Sequence, residues 1–188
     1  TLASELAYSV SDAAELLEAG GYQLKDGVLT RNGRAVELEL LVNTDNSFRV
    51  SVADYLADEL AKLGLTVTVT KLPWDDFLKA LDDGDFDLYL AQGKLTADFD
   101  LSPLLTGTLN YGGFWRESTN ALLSAFRAAS STARPAAAGA LYADLASSVP
   151  FAPLCFLRTS VLSQWGSVSG LEPTQQNAFY HFYDWTVE

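Results

Sequence analysis

A strand–helix–strand pattern that occurs twice in succession is the feature that most limits the folds open to this chain. Residues 38–42 are apolar at alternate positions and then without a break, which is typical of a strand covered on both faces. A helix is predicted over residues 47–63, because apolar side chains recur there at helical spacing. Its predicted apolar stripe consists of Phe48, Val52, Leu56, Leu60 and Leu63. The pattern continues with a strand at 65–72, a helix at 73–81 and a strand at 86–91. Strands joined through helices lie parallel, so we predict an α/β fold.

Turn and capping signals define the elements on either side of this pattern. Asp12 and Glu15 are spaced as a capping box, which predicts a helix that ends at Gly20. The dipeptide Asn32-Gly33 is suited to a type I′ turn and predicts a hairpin. The strands of that hairpin are placed at residues 28–31 and 34–41. Toward the carboxyl end, helices are predicted at 118–129 and 135–147, followed by buried strands at 150–157 and 161–165.

The charge and composition of the chain exclude several classes of partner. With 24 acidic and 12 basic residues, the formal net charge is −12. A chain this acidic repels phosphate backbones, so we exclude nucleic acid as a partner. The apolar runs are too short to span a membrane. One cysteine permits neither an internal disulfide nor a metal site built from several thiolates, and no metal or other cofactor is predicted.

Residue types that catalysis requires are scarce. The one histidine, His181, lies in an aromatic tail, where a packed or exposed ring is its ordinary role. Cys155 lies in an apolar segment without a cationic neighbour, so we predict a buried structural thiol. Three aspartates at positions 83, 85 and 87 are spaced like the start of an EF-hand loop. The sixth position of that loop would be Leu88 rather than glycine, so we predict a solvated turn. The chain is therefore predicted not to be an enzyme.

The loop over residues 94–115 is the candidate ligand site. Polar and aromatic residues concentrate there, just after a predicted strand, and binding residues often lie at the carboxyl ends of such strands. Carboxylates beside aromatic rings suit a small cationic or amphoteric ligand. The candidate ligand-binding residues are Asp98, Phe99, Asp100, Asn110, Tyr111, Phe114 and Trp115.

The order of short motifs along nearly the whole chain resembles the C-terminal lobe of the family 5 extracellular solute-binding proteins. These proteins serve ABC importers of peptides, nickel and related solutes. The most specific stretch is residues 84–90, which is followed by Ala97-Asp-Phe99. The other matching stretches are residues 14–22, 38–43, 53–60, 63–67, 74–78, 110–114 and 149–154.

The resemblance implies a class II periplasmic-binding-protein-like lobe, in which a mixed sheet is flanked by helices. Residues 1–165 would form the lobe, and residues 166–188 a tail that in relatives returns to the first lobe. That first lobe of the same precursor, and the signal of a membrane-anchored extracellular lipoprotein or a periplasmic protein, are expected outside this chain. We therefore expect residues 171–185 to form an exposed aromatic patch or a contact between copies.

The resemblance also implies a function: non-enzymatic capture of a solute, expected to be an oligopeptide, between two lobes for delivery to ABC permease subunits. In peptide-binding relatives, the aspartate of the Ala-Asp-aromatic stretch pairs with the peptide α-ammonium, and Asp98 occupies that position. The chain departs from its relatives at residues 93–96, which lack the usual aromatic side chain, and Lys94 could neutralise Asp98. The alternative is a ligand-sensing domain of a regulator with the same fold, which an attached DNA-binding or kinase segment would reveal.

Overall fold

The computed structural model describes residues 8–96, 98–156, 161–174 and 176–187, and the chain divides into two units. The first unit consists of the residues up to 93 together with 108–114, and the second of residues 94–107 and those from 115 onward. The helices of the first unit are α1 (Val10–Ala19), α2 (Ser47–Ala61) and α3 (Trp74–Asp83). Its strands are β1 (Tyr22–Lys25), β2 (Val28–Arg31), β3 (Arg34–Ala35), β4 (Glu37–Asn43), β5 (Thr66–Leu72) and β6 (Leu88–Leu90).

A three-stranded parallel sheet organises the first unit. Strand β4 lies in its centre, between β5 and β6, and pairs with both in parallel. On one face, Leu40 and Val42 pack with Ala53 of α2. On the other face, Leu41 packs with Phe77 and Leu81 of α3. Because side chains alternate across a strand, the uninterrupted apolar run is covered on both sides, and the α/β fold class is confirmed.

Helix α2 meets the sheet through a stripe that only partly matches the predicted one: Leu56 is common to both, and Phe48 is not. Ala53 is fully buried and Val50 and Leu56 pack beside it, whereas Phe48 is 58% exposed. Ala53 follows Phe48 by five positions, which places the two side chains about 140° apart around the helix. The small alanine lies against the strands, and the larger ring therefore points away from them. Phe48 was wrongly assigned to the buried stripe.

An antiparallel meander of β1, β2 and β3 precedes the parallel sheet. Asn32 and Gly33 have φ angles of 52° and 76°, so both take the positive values of the predicted type I′ turn. The second predicted strand is divided, because β3 pairs with β2 while β4 joins the parallel sheet. Strand β1 was not predicted, although Asp26-Gly27, with φ angles of 51° and 81°, is a second turn signal of the same kind.

The amino-terminal helix begins earlier than the predicted capping box. Ser9 is the N-cap residue, and its hydroxyl oxygen accepts a hydrogen bond from the Asp12 backbone N–H at 3.1 Å. Asp12 therefore lies in the first turn of α1, where a negative side chain interacts favourably with the helix dipole. The expected cap at Asp12 is wrong by three residues, because Ser9 supplies the same kind of acceptor.

Gly64 joins α2 to β5 at a close approach of two backbone segments. Its φ angle is +79°, and a Cβ atom there would lie 2.4 Å from Leu24 Cδ1 and 2.7 Å from the Leu29 backbone nitrogen. That nitrogen donates a hydrogen bond of 2.7 Å to the Gly64 carbonyl oxygen. The position therefore requires glycine both for its backbone conformation and for the space around it.

Replacing Gly64 with alanine is expected to lower the free energy of unfolding by about 2 kcal/mol or more, since strain and overpacking add. Gly84→Ala is the matched control: Gly84 also has a positive φ, of +77°, but a Cβ there meets no atom within 4 Å. Backbone strain alone should lower the free energy of unfolding of the Gly84→Ala control by about 1 kcal/mol. Urea unfolding measures both variants, and equal losses would contradict the role assigned to the close approach.

The second unit contains a pair of packed helices. Its elements are α4 (Ser102–Leu105), α5 (Glu117–Ala128), α6 (Arg134–Ser148), β7 (Val168–Ser169), a 3₁₀ helix (Phe182–Asp184) and β8 (Thr186–Val187). Helices α5 and α6 contact each other and match the two predicted helices to within one residue at each end. Leu123 and Phe126 of α5 and Leu141 of α6 are buried. Thr119 is also buried, and its hydroxyl donates to the Asp144 carboxylate, so this polar group is satisfied.

The two buried strands predicted after α6 are absent from the described residues. Residues 150–156 and 161–165 have no strand conformation, and Leu157 lies outside the described residues. Phe156 is 73% exposed, Leu162 91% and Trp165 99%. A strand needs a neighbouring strand to satisfy its backbone hydrogen bonds. Within the described part of this unit, the only paired strands are β7 and β8, so the predicted segments pair with no strand there. Cys155 is consequently exposed rather than buried, which corrects its predicted structural role.

The tail carries the exposed aromatic residues that the sequence predicts. Strands β7 and β8 pair antiparallel at its two ends. Between them, the rings of Phe179, Phe182 and Tyr183 are largely exposed. Across the described residues, no helix has the length and apolar character needed to cross a membrane.

Candidate functional site

Asp98 lies in the second unit with an anion-stabilising environment. One carboxylate oxygen accepts a hydrogen bond of 2.7 Å from the Thr96 hydroxyl. The other lies 3.5 Å from Nη1 of Arg134, the first residue of α6. The Thr96 hydroxyl is the main cause that holds the pKa of Asp98 below its usual value, with backbone N–H groups and Arg134 adding to it. Asp98 is therefore an ionised, half-exposed carboxylate at neutral pH.

Arg134, and not Lys94, is the cation beside Asp98. Its guanidinium also lies over the Phe126 ring, 5.5 Å from the ring centroid. Nη2 of Arg134 donates a hydrogen bond of 3.5 Å to the Ala129 carbonyl oxygen. The sequence offered Lys94 as a residue that could neutralise Asp98, but the cation that pairs with Asp98 is Arg134. Sequence reasoning missed Arg134, because 36 residues separate it from Asp98 and only the packing of the unit brings them together.

A cavity of about 450 Å³ opens beside this ion pair. Its lining includes Asp98, Phe99, Phe126, Arg134, Pro135 and Tyr142. Phe99 has a φ angle of 55°, in the left-handed region that aromatic residues rarely adopt, and its ring meets Phe156 edge-on at 6.5 Å. The cavity thus combines one carboxylate, one guanidinium and several aromatic rings, a composition suited to an amphoteric or cationic ligand with an apolar part.

Asp100, the third acidic candidate, stabilises the start of a helix. Its Oδ1 accepts a hydrogen bond of 2.9 Å from the Ser102 backbone N–H, at the first residue of α4, and another from the Ser102 hydroxyl. Its Oδ2 lies 3.6 Å from Nε of Arg127. These contacts give Asp100 a local structural role in the described chain.

Asn110, Tyr111 and Phe114 belong to the first unit. The Asn110 side-chain amide donates to the Phe114 carbonyl at 2.9 Å and accepts from the Phe114 backbone N–H at 3.0 Å, which closes the intervening loop. The Tyr111 ring lies edge-on to Tyr89 at 6.1 Å and packs against the core around Phe77. The structure therefore brings these three residues together around one loop. Trp115 belongs to the second unit and is 70% exposed.

The other candidates considered in the sequence have ordinary structural contacts. Asp87 accepts a hydrogen bond of 2.8 Å from the Glu39 backbone N–H, and Asp83 is paired with Lys79. Among the residues that the structure describes, no group of three or more metal-ligating side chains is placed to hold an ion. His181 stacks on Tyr180 at 4.0 Å, and its Nδ1 lies 3.5 Å from a Glu172 carboxylate oxygen.

Comparison with known families gives one match, which covers more than half of the chain. Residues 2–113 match the family described as bacterial extracellular solute-binding proteins, family 5, middle region. No sequence among the curated proteins matches significantly.

Solved structures of binding proteins share the fold of the chain. The oligopeptide-binding protein AppA of Bacillus subtilis, in complex with a nonapeptide, has a TM-score of 0.67 at 18% identity over 96% of this chain. An oligopeptide-binding protein of Thermotoga maritima with bound mannohexaose has a TM-score of 0.71 at 20% identity over 92% of this chain. NikZ of Campylobacter jejuni, in complex with Ni(L-His), has a TM-score of 0.67 at 22% identity over 76% of this chain. This chain spans 38%, 35% and 31% of those three proteins, respectively. The likeness confirms the periplasmic-binding-protein-like fold.

Proposed function

Because this chain belongs to the family 5 bacterial extracellular solute-binding proteins, we propose that it is one lobe of a receptor that captures oligopeptides for an ABC importer. The family consists of proteins that bind solutes and do not transform them, and we assign this chain no catalytic step. Residues 1–165 form the lobe and residues 166–188 the tail that returns to the other lobe. The receptor delivers its ligand to ABC permease subunits from the periplasm or, as an anchored lipoprotein, from the outer face of the membrane.

The ionised carboxylate of Asp98 is the observation that carries the peptide proposal. It is half-exposed, so a ligand can reach it, and it is held below its usual pKa, so it is charged when the ligand arrives. A fixed carboxylate in a site that closes is a strong partner for the α-ammonium group of a peptide. Within the second unit, Phe99, Asp100 and Trp115 are proposed as further ligand contacts, with Asp100 acting in addition to its role at the start of α4. Asn110, Tyr111 and Phe114 are proposed as ligand contacts of the first unit.

Closure of two lobes explains how one exposed carboxylate can bind the ammonium group of a ligand firmly. In the open form, an exposed ion pair contributes little, because water screens both charges. When a second lobe closes over the ligand, water is excluded and the same contact becomes stronger. A ligand that touches both lobes makes more contacts in the closed form than in the open form, and it therefore stabilises the closed form. A permease can recognise that form.

The test is calorimetric titration of the two-lobed protein with short peptides that have a free amino terminus and with the same peptides after amino-terminal acetylation. Acetylation removes the ammonium charge and leaves the remaining peptide intact. We expect the free peptides to bind and acetylation to weaken them about tenfold or more. Equal affinities would contradict the ammonium contact. Binding of mannohexaose with no binding of any peptide would retain solute capture and contradict the peptide proposal.

A further inference from the structure

We propose that Asn32 is a site of spontaneous covalent modification, at which its side-chain amide is converted to aspartate and isoaspartate through a cyclic imide formed with Gly33. The inference does not depend on the proposed function. It assigns a modification site to the antiparallel meander of β1, β2 and β3, a part of the first unit for which no ligand contact is proposed.

The reaction requires only the two residues of the turn and water. The backbone nitrogen of Gly33 attacks Cγ of Asn32, so a bond forms between these atoms and the bond from Cγ to Nδ2 breaks. Nδ2 leaves as ammonia and takes the proton that the Gly33 nitrogen gives up. Water then opens the imide ring at either of its carbonyl carbons. Opening at Cγ gives aspartate, and opening at the main-chain carbonyl gives isoaspartate, whose main chain runs through Cγ.

The turn leaves both reacting residues accessible. Residues 31–34 are all exposed, and the Gly33 N–H donates to no backbone carbonyl in the described chain. A Cβ atom built on Gly33 would meet no atom within 4 Å, so the ring can close there without a steric clash. Strand β3 pairs with β2 through only two residue pairs, Thr30 with Ala35 and Arg31 with Arg34. Little structure therefore has to open for the backbone to reach the geometry of attack.

Two arginines flank the reacting pair and favour the reaction electrostatically. Arg31 and Arg34 lie directly opposite each other across the hairpin, and like charges in such a pair repel. The attacking group is the Gly33 nitrogen after it has lost its proton, and a nearby positive charge favours that anion. The reaction then replaces a neutral amide with a carboxylate between the two guanidinium groups, which reduces their repulsion.

The other five asparagines of the chain lack this combination. Each is followed by a residue with a side chain, which crowds the attacking nitrogen. Four of them accept a hydrogen bond at Oδ1 from a backbone N–H, and the fifth lies inside α5, where the backbone is held in helical geometry. The four are Asn43, Asn46, Asn110 and Asn177, and the fifth is Asn120. Asn32 should therefore be modified first.

The test is incubation of the 188-residue chain at mildly acidic and at mildly alkaline pH, in water labelled with heavy oxygen. A glutamate-specific protease then releases residues 19–37, which contain Asn32, and chromatography with mass spectrometry measures the two products. We expect aspartate and isoaspartate at position 32 before any other asparagine is converted, each with a labelled oxygen from the water that opens the ring. The rate should rise with pH, because the attacking nitrogen must lose its proton.

Gly33→Ala and Gly27→Ala form a matched pair of variants. The two glycines have positive φ angles of 76° and 81° in the two turns of the meander, and a Cβ atom at either position meets no atom within 4 Å. Gly33→Ala crowds the attacking nitrogen and should slow the modification of Asn32 about tenfold. Gly27→Ala introduces the same backbone strain in the other turn and should leave that rate unchanged. Arg34→Gln removes one flanking charge and should slow the modification about threefold.

Three results would overturn the proposal. The first is an Asn32 amide that persists while another asparagine is converted. The second is aspartate at position 32 without isoaspartate, because direct hydrolysis of the side chain gives aspartate alone. The third is an equal rate for Gly33→Ala and the unchanged chain, or an equal loss in both glycine variants, since either would contradict attack by the Gly33 nitrogen.

Discussion

Replacing Phe77 with alanine is expected to lower the free energy of unfolding of the first unit by about 3–5 kcal/mol, the largest stability loss that we predict for a single substitution. Phe77 is 2% exposed and packs with Leu41 and Leu81 beneath the parallel sheet. Tyr89 and Tyr111 pack against the same cluster. Truncation would therefore remove a buried ring and leave a cavity whose walls belong to the sheet, to α3 and to the loop around residue 111.

Trp74→Ala provides the matched control for Phe77. Trp74 begins the same helix, and its ring lies 6.1 Å from that of Phe77, but it is 47% exposed. Because much of its surface already contacts water, its truncation should cost about 1 kcal/mol or less. Urea unfolding followed by circular dichroism measures both variants. Equal losses for the two would show that the cluster around Phe77 is not the core of this unit.

Elements whose signals are local could be predicted from the sequence. The run 40–42 predicts a strand covered on both faces, and its three side chains are at most 3% exposed. Gly84 predicts the end of α3, and it takes the left-handed C-cap conformation there, with a φ angle of 77°. The dipeptide Asn32-Gly33 likewise predicts a type I′ turn, and both residues have the positive φ angles that this turn requires. In each case the energy that determines the structure acts over a few neighbouring residues.

Features that depend on distant partners could not be predicted. The buried face of α2 is centred on Ala53, because the sheet accepts a small side chain there, and helical spacing alone does not reveal this. The apolar segment around Phe156 was expected to be a strand, but a strand forms only beside another strand. Arg134 meets Asp98 through the packing of the second unit. The choice of Asp98 came from a motif, whereas its partner could come only from the structure.

Asp98→Asn is expected to weaken peptide binding by about tenfold to a hundredfold, the largest loss of affinity that we predict. Asparagine has nearly the same shape and can still accept the hydrogen bond of the Thr96 hydroxyl. The substitution therefore removes the charge and little else. Asp82→Asn is the control: it makes the same charge change at an exposed position on α3, and Asp82 does not line the cavity. The control should leave peptide affinity unchanged.

The most direct test of solute capture through Asp98 is calorimetry of one free-amino-terminus peptide with the two-lobed protein and with its Asp98→Asn and Asp82→Asn variants. The account predicts that the peptide binds the unchanged protein and the Asp82→Asn variant equally. It predicts that the Asp98→Asn variant loses about tenfold or more in affinity. Undiminished binding by Asp98→Asn would contradict it and move the ammonium contact to another residue.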